Sequence, residues 1–213
     1  MKTVIFDLDG TLVDSQEDIT ASINHVRTQI YGLDPLDSAF VIDRINKRGL
    51  NLALEFYGVT EYEQKAKALF EDHYSRQCVK NAKTFPGIPE LLEALKSKGC
   101  DLYIATNAPS KTSEMILQNN NIAHHFTDII GADRVEKAKP DPEVILKIVE
   151  KSKYDEIWMI GDSPKDLMAA QGARVDAIFV TWGYTLHLPE EFADILKAER
   201  PDDIQRHIIS QQR

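Results

Sequence analysis

Five short apolar bursts along the chain each run straight into small or polar residues. Val4-Ile5-Phe6 leads into Asp7-Leu8-Asp9-Gly10-Thr11, and Leu102-Tyr103-Ile104-Ala105 leads into Thr106-Asn107. Ile129-Ile130 leads into Gly131, Ile157-Trp158-Met159-Ile160 into Gly161-Asp162, and Ala177-Ile178-Phe179-Val180 into Thr181-Trp182-Gly183. A β-rich run that ends in Asp, Gly or Thr reads as a buried strand followed by a tight polar loop. Stretches with helical spacing separate most of these bursts. They carry Leu91, Leu92 and Leu95; Met115 and Ile116; Val144, Ile145, Ile148 and Val149; and Leu167 with Met168. Pro86, Pro109, Pro142 and Pro164 stand near their starts, where a fixed φ suits the first helical turn. Gly99 and Gly172 stand where C-caps are expected. Strands alternating with helices of about 10 to 15 residues predict an α/β fold with a parallel sheet covered on both faces.

Residues 15–83 break the alternation. Ser15-x-x-Asp18 and Thr60-x-x-Glu63 read as capping boxes that open helices. Ile19, Ile23, Val26 and Ile30 form one helical stripe, and Ala66, Leu69, Phe70 and His73 another. Nothing between them alternates like a strand. The pattern predicts an all-helical domain, residues 15–83, inserted into an α/β core formed by 1–14 and 84–213. The C-terminal stretch from Asp202 to Arg213 reads as weakly helical.

A chain of 213 residues can bury a large core without disulfides or a structural metal. Its 25 basic and 34 acidic residues give a net charge of −9. That balance speaks against nucleic acid and against an anionic membrane surface as partners. No stretch approaches the roughly 20 apolar residues of a membrane span. Asp7 and Asp9 interrupt the run that a signal peptide would need, so a cytoplasmic location is expected. Cys78 and Cys100 are too few and too far apart for a disulfide framework or a zinc site. A monomer and a homodimer both remain open.

Ligands of open parallel sheets bind beyond the carboxyl ends of the strands. The polar residues there are Asp7 and Asp9, Thr106 and Asn107, and Asp162 and Asp166, joined by the segment Glu136-Lys137-Ala138-Lys139-Pro140-Asp141. Carboxylates gathered at one edge repel each other and have raised pKa values. A divalent metal and a lysine relieve that repulsion, and oxygen ligands alone favour Mg²⁺. Singly, each residue has a plain structural reading: turn former, helix cap or solvated charge. Jointly, those readings require four coincidences at one edge of one sheet. For Asp14 and Asp141, loop and hinge roles are expected.

Four segments resemble the motifs of the haloacid dehalogenase superfamily: Asp7-Leu8-Asp9-Gly10-Thr11, Thr106-Asn107, Lys139-Pro140-Asp141-Pro142 and Gly161-Asp162-Ser163-Pro164-Lys165-Asp166. The helical insert is similar to that superfamily's C1 cap. Phe85-Pro86-Gly87-Ile88-Pro89-Glu90-Leu91-Leu92 and Val180-Thr181-Trp182-Gly183-Tyr184 resemble its phosphoglycolate phosphatase-like branch. The resemblance implies a Rossmann-like parallel sheet flanked by helices, with an inserted all-α cap. It implies an Mg²⁺-dependent phosphatase that hydrolyses a small phosphorylated metabolite through an aspartyl-phosphate. Asp7 matches the nucleophile, and Asp9 the general acid and base. Thr106, Asn107 and Lys139 match the phosphate-binding groups. Asp162, with Asp7 and the backbone carbonyl of Asp9, matches the metal ligands. Asp166 matches an indirect ligand or a partner of Lys139. In relatives with such a cap the leaving group meets the cap, which makes Arg48 a candidate contact for an anionic one. A β-phosphoglucomutase-like sugar phosphomutase and a nucleotide or pyrophosphate hydrolase share the fold. A non-catalytic binding module is the alternative of another class.

Overall fold

The computed structural model describes residues 1–47 and 49–210. The chain divides into two compact units, one comprising Met1–Asp14 with the chain from Lys83 onward, the other Ser15–Ala82. In chain order, β1 (Thr3–Phe6) and the short β2 (Val13–Asp14) come first. The helices α1 (Gln16–Tyr31), α2 (Ser38–Asn46), α3 (Leu52–Tyr57) and α4 (Gln64–Gln77) follow. The chain returns through β3 (Lys83–Thr84), then runs α5 (Ile88–Ser97), β4 (Asp101–Ala105), α6 (Ser110–Asn119) and β5 (Phe126–Ile130). It ends with α7 (Glu143–Val149), β6 (Ile157–Gly161), α8 (Pro164–Ala173), β7 (Asp176–Val180), β8 (Leu196–Ala198) and α9 (Pro201–Ser210).

The first unit is the expected α/β architecture. Its main sheet has the order β5-β4-β1-β6-β7-β8, and every neighbouring pair is parallel. The apolar strand β1 is buried along its whole length, as a central strand covered on both faces must be. Ile5, Tyr103 and Met159 pack with Val144, Ile145, Ile148, Ala169 and Ala170 of α7 and α8. This explains why these helices carry apolar residues three and four apart. Phe6 lies level with Ile104 on one side and Ile160 on the other. The residues that follow β1, β4 and β6 therefore share one sheet edge. Consecutive strands lie to opposite sides of β1, so the crevice opens beside its carboxyl end.

Three local expectations are corrected. The edge strand β8 was not anticipated; it has three residues and an exposed Lys197 at its centre, too short for periodicity to show. Gly172 does not cap α8, which runs on to Ala173 and ends at Arg174 with φ 57°. Gly172 instead lies where a Cβ would press on the Pro142 ring at 3.0 Å. The two capping boxes do not form as read. Helix α4 starts at Gln64 with Glu63 as its N-cap, three residues beyond the Thr60 start that was expected. At the start of α1, Asp18 is buried and accepts from the Asn81 backbone N–H (3.0 Å), Asn81 Nδ2 (2.7 Å) and the Ala82 N–H (2.9 Å).

The second unit is helical. Ile23, Val26, Val41, Phe56 and Ala66 form its core, with Ile19, Ile30, Leu69 and Phe70 packed at the margin. Both sequence stripes thus face one interior. Gln77 of α4 donates to the backbone oxygen of Asp18, which ties the last helix of the unit to the first.

Edge strand β5 is held electrostatically. Asp128 accepts from Arg134 at 2.6 and 3.2 Å and from Lys151 at 2.8 Å. Partial burial alone would raise the Asp128 carboxyl, but the hydrogen bonds from Arg134 and Lys151 outweigh it and hold the pKa at about 2. The folded value lies below the unfolded one, so this stabilisation is present above pH 4 and fades as pH falls toward 2. Both cations are more than a third exposed, which screens the pairs. Asp128→Asn is therefore expected to cost about 1 kcal/mol at pH 7, and the gap from wild type to narrow below pH 4 and close as pH falls to about 2. Urea unfolding across that range measures it.

Candidate active site

Asp7 follows β1 directly, and its N–H donates to Ile160 O at 2.9 Å, extending the ladder by one residue. The side chain of Lys139 comes in from the loop before α7 and is 5% exposed. An ammonium has three donors, and all three are used. Lys139 Nζ donates to Asp7 Oδ1 at 2.6 Å, Asp166 Oδ1 at 2.6 Å and Ala105 O at 2.7 Å. Asn107 fixes the lysine from behind. Its Oδ1 accepts the Lys139 N–H and its Nδ2 donates to Lys139 O, both at 2.9 Å. The Lys139–Pro140 bond is cis.

Asp162 and Asp166 come from the end of β6 and the first turn of α8. Asp166 Oδ2 accepts from Ser163 N–H (3.0 Å) and Ser163 Oγ (2.6 Å), so both its oxygens are occupied. Asp162 Oδ2 accepts the Tyr184 N–H at 2.7 Å, and its Oδ1 accepts from Thr11 Oγ1 at 3.3 Å. Gly10 (φ 84°) and Gly183 press on this carboxylate, and a Cβ on either would overlap Asp162 atoms. Glycine is required at both positions by close approach, and at Gly10 by the left-handed backbone as well.

One oxygen each of Asp7, Asp162 and Asp166 lies within 4.8 Å of the others, and all three residues are buried. The ammonium of Lys139 donates to two of these three carboxylates, Asp7 and Asp166. Burial pushes the Asp7 pKa up to about 7; Lys139 pulls it down, while the charges of Asp166 and Asp9 push it further up. Burial, then the charges of Asp7 and Asp166, raise Asp162 well above the carboxylate range. Burial disfavours the charged form of Lys139, but Asp166 and Asp7 outweigh it and raise its pKa. The cluster is thus short of positive charge, and its donors are all oxygen. Such residues fit a hard divalent cation. Asp166 has one oxygen taken by the Lys139 ammonium and the other by Ser163, whereas the donors to Asp162 are a neutral N–H and a hydroxyl, so Asp7 and Asp162 are the groups that could hold the ion directly.

Of the remaining expected residues, Asp9 is half-buried on the loop after Asp7. Thr106 is buried, and its Oγ1 accepts the Ala108 N–H at 3.1 Å, which fixes the loop after β4. Its hydroxyl proton is used by no described residue. Arg48 lies outside the described residues. Reading the motifs left open whether Trp182 and Tyr184 touch the cleft or only pack; the Tyr184 N–H holds Asp162 and Trp182 Nε1 donates to Thr11 O at 3.1 Å, while the hold of Ser163 on Asp166 was not read.

The model of the haloacid dehalogenase-like hydrolase family matches residues 4–180. The chain belongs to the haloacid dehalogenase-like hydrolases. It is a phosphatase of that family, a hydrolase of phosphoric monoesters. A phosphoglycolate phosphatase of Vibrio vulnificus (strain YJ016) is 32% identical, aligned over 95% of this chain and 90% of its own. One from Aquifex aeolicus is 31% identical over 96% and 95%. The crystal structure of a predicted phosphoglycolate phosphatase from Haemophilus somnus 129PT superposes with a TM-score of 0.83 at 28% identity, covering 99% of this chain and 98% of that one. Among the described residues of this dehalogenase-like hydrolase, no helix is long and apolar enough to cross a membrane.

The carboxylate crowding has a measurable consequence. Asp162→Asn replaces a buried charge, and an amide can still accept from Tyr184 N–H and donate to Thr11 Oγ1. Since the folded Asp162 pKa is raised, ionising it costs stability as pH climbs above 4. In EDTA at pH 8, Asp162→Asn is expected to raise Tm by about 2–4 °C, with a smaller gain at pH 5. Differential scanning fluorimetry at the two pH values checks this.

Proposed function

We propose that the protein is an Mg²⁺-dependent phosphatase that hydrolyses a small phosphomonoester of the phosphoglycolate kind through an aspartyl-phosphate on Asp7. The observation that carries this reading is the buried contact of Lys139 with Asp7 at 2.6 Å beside Asp162. The names of the Vibrio and Aquifex relatives, aligned over nearly the whole chain, support the substrate class.

A nucleophilic carboxylate must be ionised and aimed. Lys139 does both for Asp7, fixing one oxygen and compensating its charge. Asp7 and Asp162 would hold Mg²⁺, with the backbone carbonyl of Asp9 as a further ligand and Asp166 as an indirect ligand or a partner of Lys139. The bound ion supplies positive charge against the phosphoryl oxygens, the main requirement of phosphoryl transfer. An Asp7 oxygen attacks phosphorus in line, the bond to the ester oxygen breaks, and Asp9 gives its proton to the departing alkoxide. Asp9 then takes a proton from water as that water attacks the aspartyl-phosphate, and Asp7 is regenerated. The Thr106 hydroxyl proton, with backbone N–H groups of its loop, binds a phosphoryl oxygen. Asn107 assists, chiefly by holding Lys139 in place.

In this reading residues 15–83 are a cap on the core formed by 1–14 and 84–213. Arg48, outside the described residues, is the contact proposed for an anionic leaving group. The enzyme is cytoplasmic, a monomer or a homodimer.

Purified protein is expected to release phosphate from phosphoglycolate with Mg²⁺ and to stop in EDTA. A hexose phosphate should yield free phosphate rather than an isomer, which separates hydrolysis from mutase chemistry. Asp7→Asn should lose at least about a thousandfold in kcat. Near-wild-type turnover by that variant overturns the mechanism.

A further inference from the structure

We propose that Tyr184 is a positioning residue for the metal centre: its phenol, anchored on Asp14, holds its own backbone N–H on Asp162 and so sets the affinity of the site for the divalent ion. The inference rests on the reading above that Asp162 is a metal ligand.

Of the two hydrogen bonds that orient the Asp162 carboxylate, that from the Tyr184 N–H is the shorter, 2.7 Å against 3.3 Å from Thr11 Oγ1. A backbone N–H is only as well placed as the loop that carries it. This loop has a glycine at 183, immediately before the donor. Gly183 is needed because a Cβ would overlap Asp162 and the Gly10 carbonyl. The same missing Cβ leaves the peptide before Tyr184 with the widest choice of torsions. Such a joint holds an orientation only if it is anchored on both sides.

Both anchors are present. Before the glycine, Trp182 Nε1 donates to Thr11 O at 3.1 Å. After it, Tyr184 Oη donates to Asp14 Oδ1 at 3.0 Å. Both anchors land on one short segment, residues 11–14, and that segment is itself fixed by the pairing of Val13 with Thr84 and Asp14 with Lys83. The segment also supplies Thr11, the other donor to Asp162. Segment 11–14 and loop 181–184 thus close a ring of hydrogen bonds around one carboxylate. Partners of this kind orient a ligand and tune its affinity for metal without touching the ion.

The test separates positioning from packing. Tyr184→Phe keeps the ring and the backbone N–H and deletes only the anchor. Asp14→Ala deletes the acceptor, and Asp14→Asn keeps one. Metal affinity is read from electron paramagnetic resonance of added Mn²⁺ and from the rise of Tm with Mg²⁺; metal-free stability is read from Tm in EDTA. Tyr184→Phe and Asp14→Ala should each weaken affinity about tenfold, the double variant no further, with Asp14→Asn close to wild type. A lower Tm in EDTA with unchanged affinity would show packing alone and overturn the proposal. If wild type itself gives no metal response and matches Asp162→Asn, the metal reading falls and this inference with it. If wild type responds and Tyr184→Phe responds equally, only this inference falls.

Discussion

A buried ammonium must find an acceptor for every proton, and the end of Lys139 finds three, two at the ends of neighbouring strands and one in the first turn of a helix. Left without its carboxylates, that charge would cost several kcal/mol in the interior, and so would each carboxylate left without the lysine. The cluster therefore fixes more than a single contact. Through Asp7 it sets the end of the central strand; through Ala105 O it touches the neighbouring strand; through Asp166 it reaches the first turn of α8. Asn107 and Ser163 hold the lysine backbone and the Asp166 carboxylate in turn, so the arrangement precedes any ligand. A charge deficit remains at Asp7 and Asp162, and a divalent cation fits there.

Much of this was legible in the linear chain because strand endings in a parallel sheet are local signals. An apolar run followed at once by Asp, Asn or Gly marks both the strand and the edge where it stops. Asp7, Thr106 and Asp162 could therefore be assigned to one side of one sheet before any coordinate was known. The segment that carries Lys139 could be set at the same edge, but its role came only through motif resemblance, since nothing about an isolated lysine in a loop announces three buried acceptors.

Other parts carried no such signal. The grip of Tyr184 on Asp162 uses a backbone N–H, a group every residue but proline owns, so residue type says nothing about it. Asp18 looked like a capping residue because its spacing from Ser15 fits that local motif. Its actual partners lie 63 and 64 residues away, and burial with three donors prevailed over the local option. Gly172 looked like a helix end because glycine often is one, yet here its lack of a side chain admits the Pro142 ring. In each case a tertiary contact displaced a short-range preference.

The two-stranded ribbon of β2 and β3 has a consequence of its own. Asp14 and Lys83 are antiparallel partners, so the sheet-bearing unit meets its long helical excursion at two adjacent backbone positions. A tight hairpin turn could bridge that gap as readily as sixty-eight residues do, without disturbing a single register in the main sheet. Evolution can thus lengthen, shorten or exchange whatever is spliced in at this point while the chemistry-bearing scaffold stays as it is, a modular socket built from four residues.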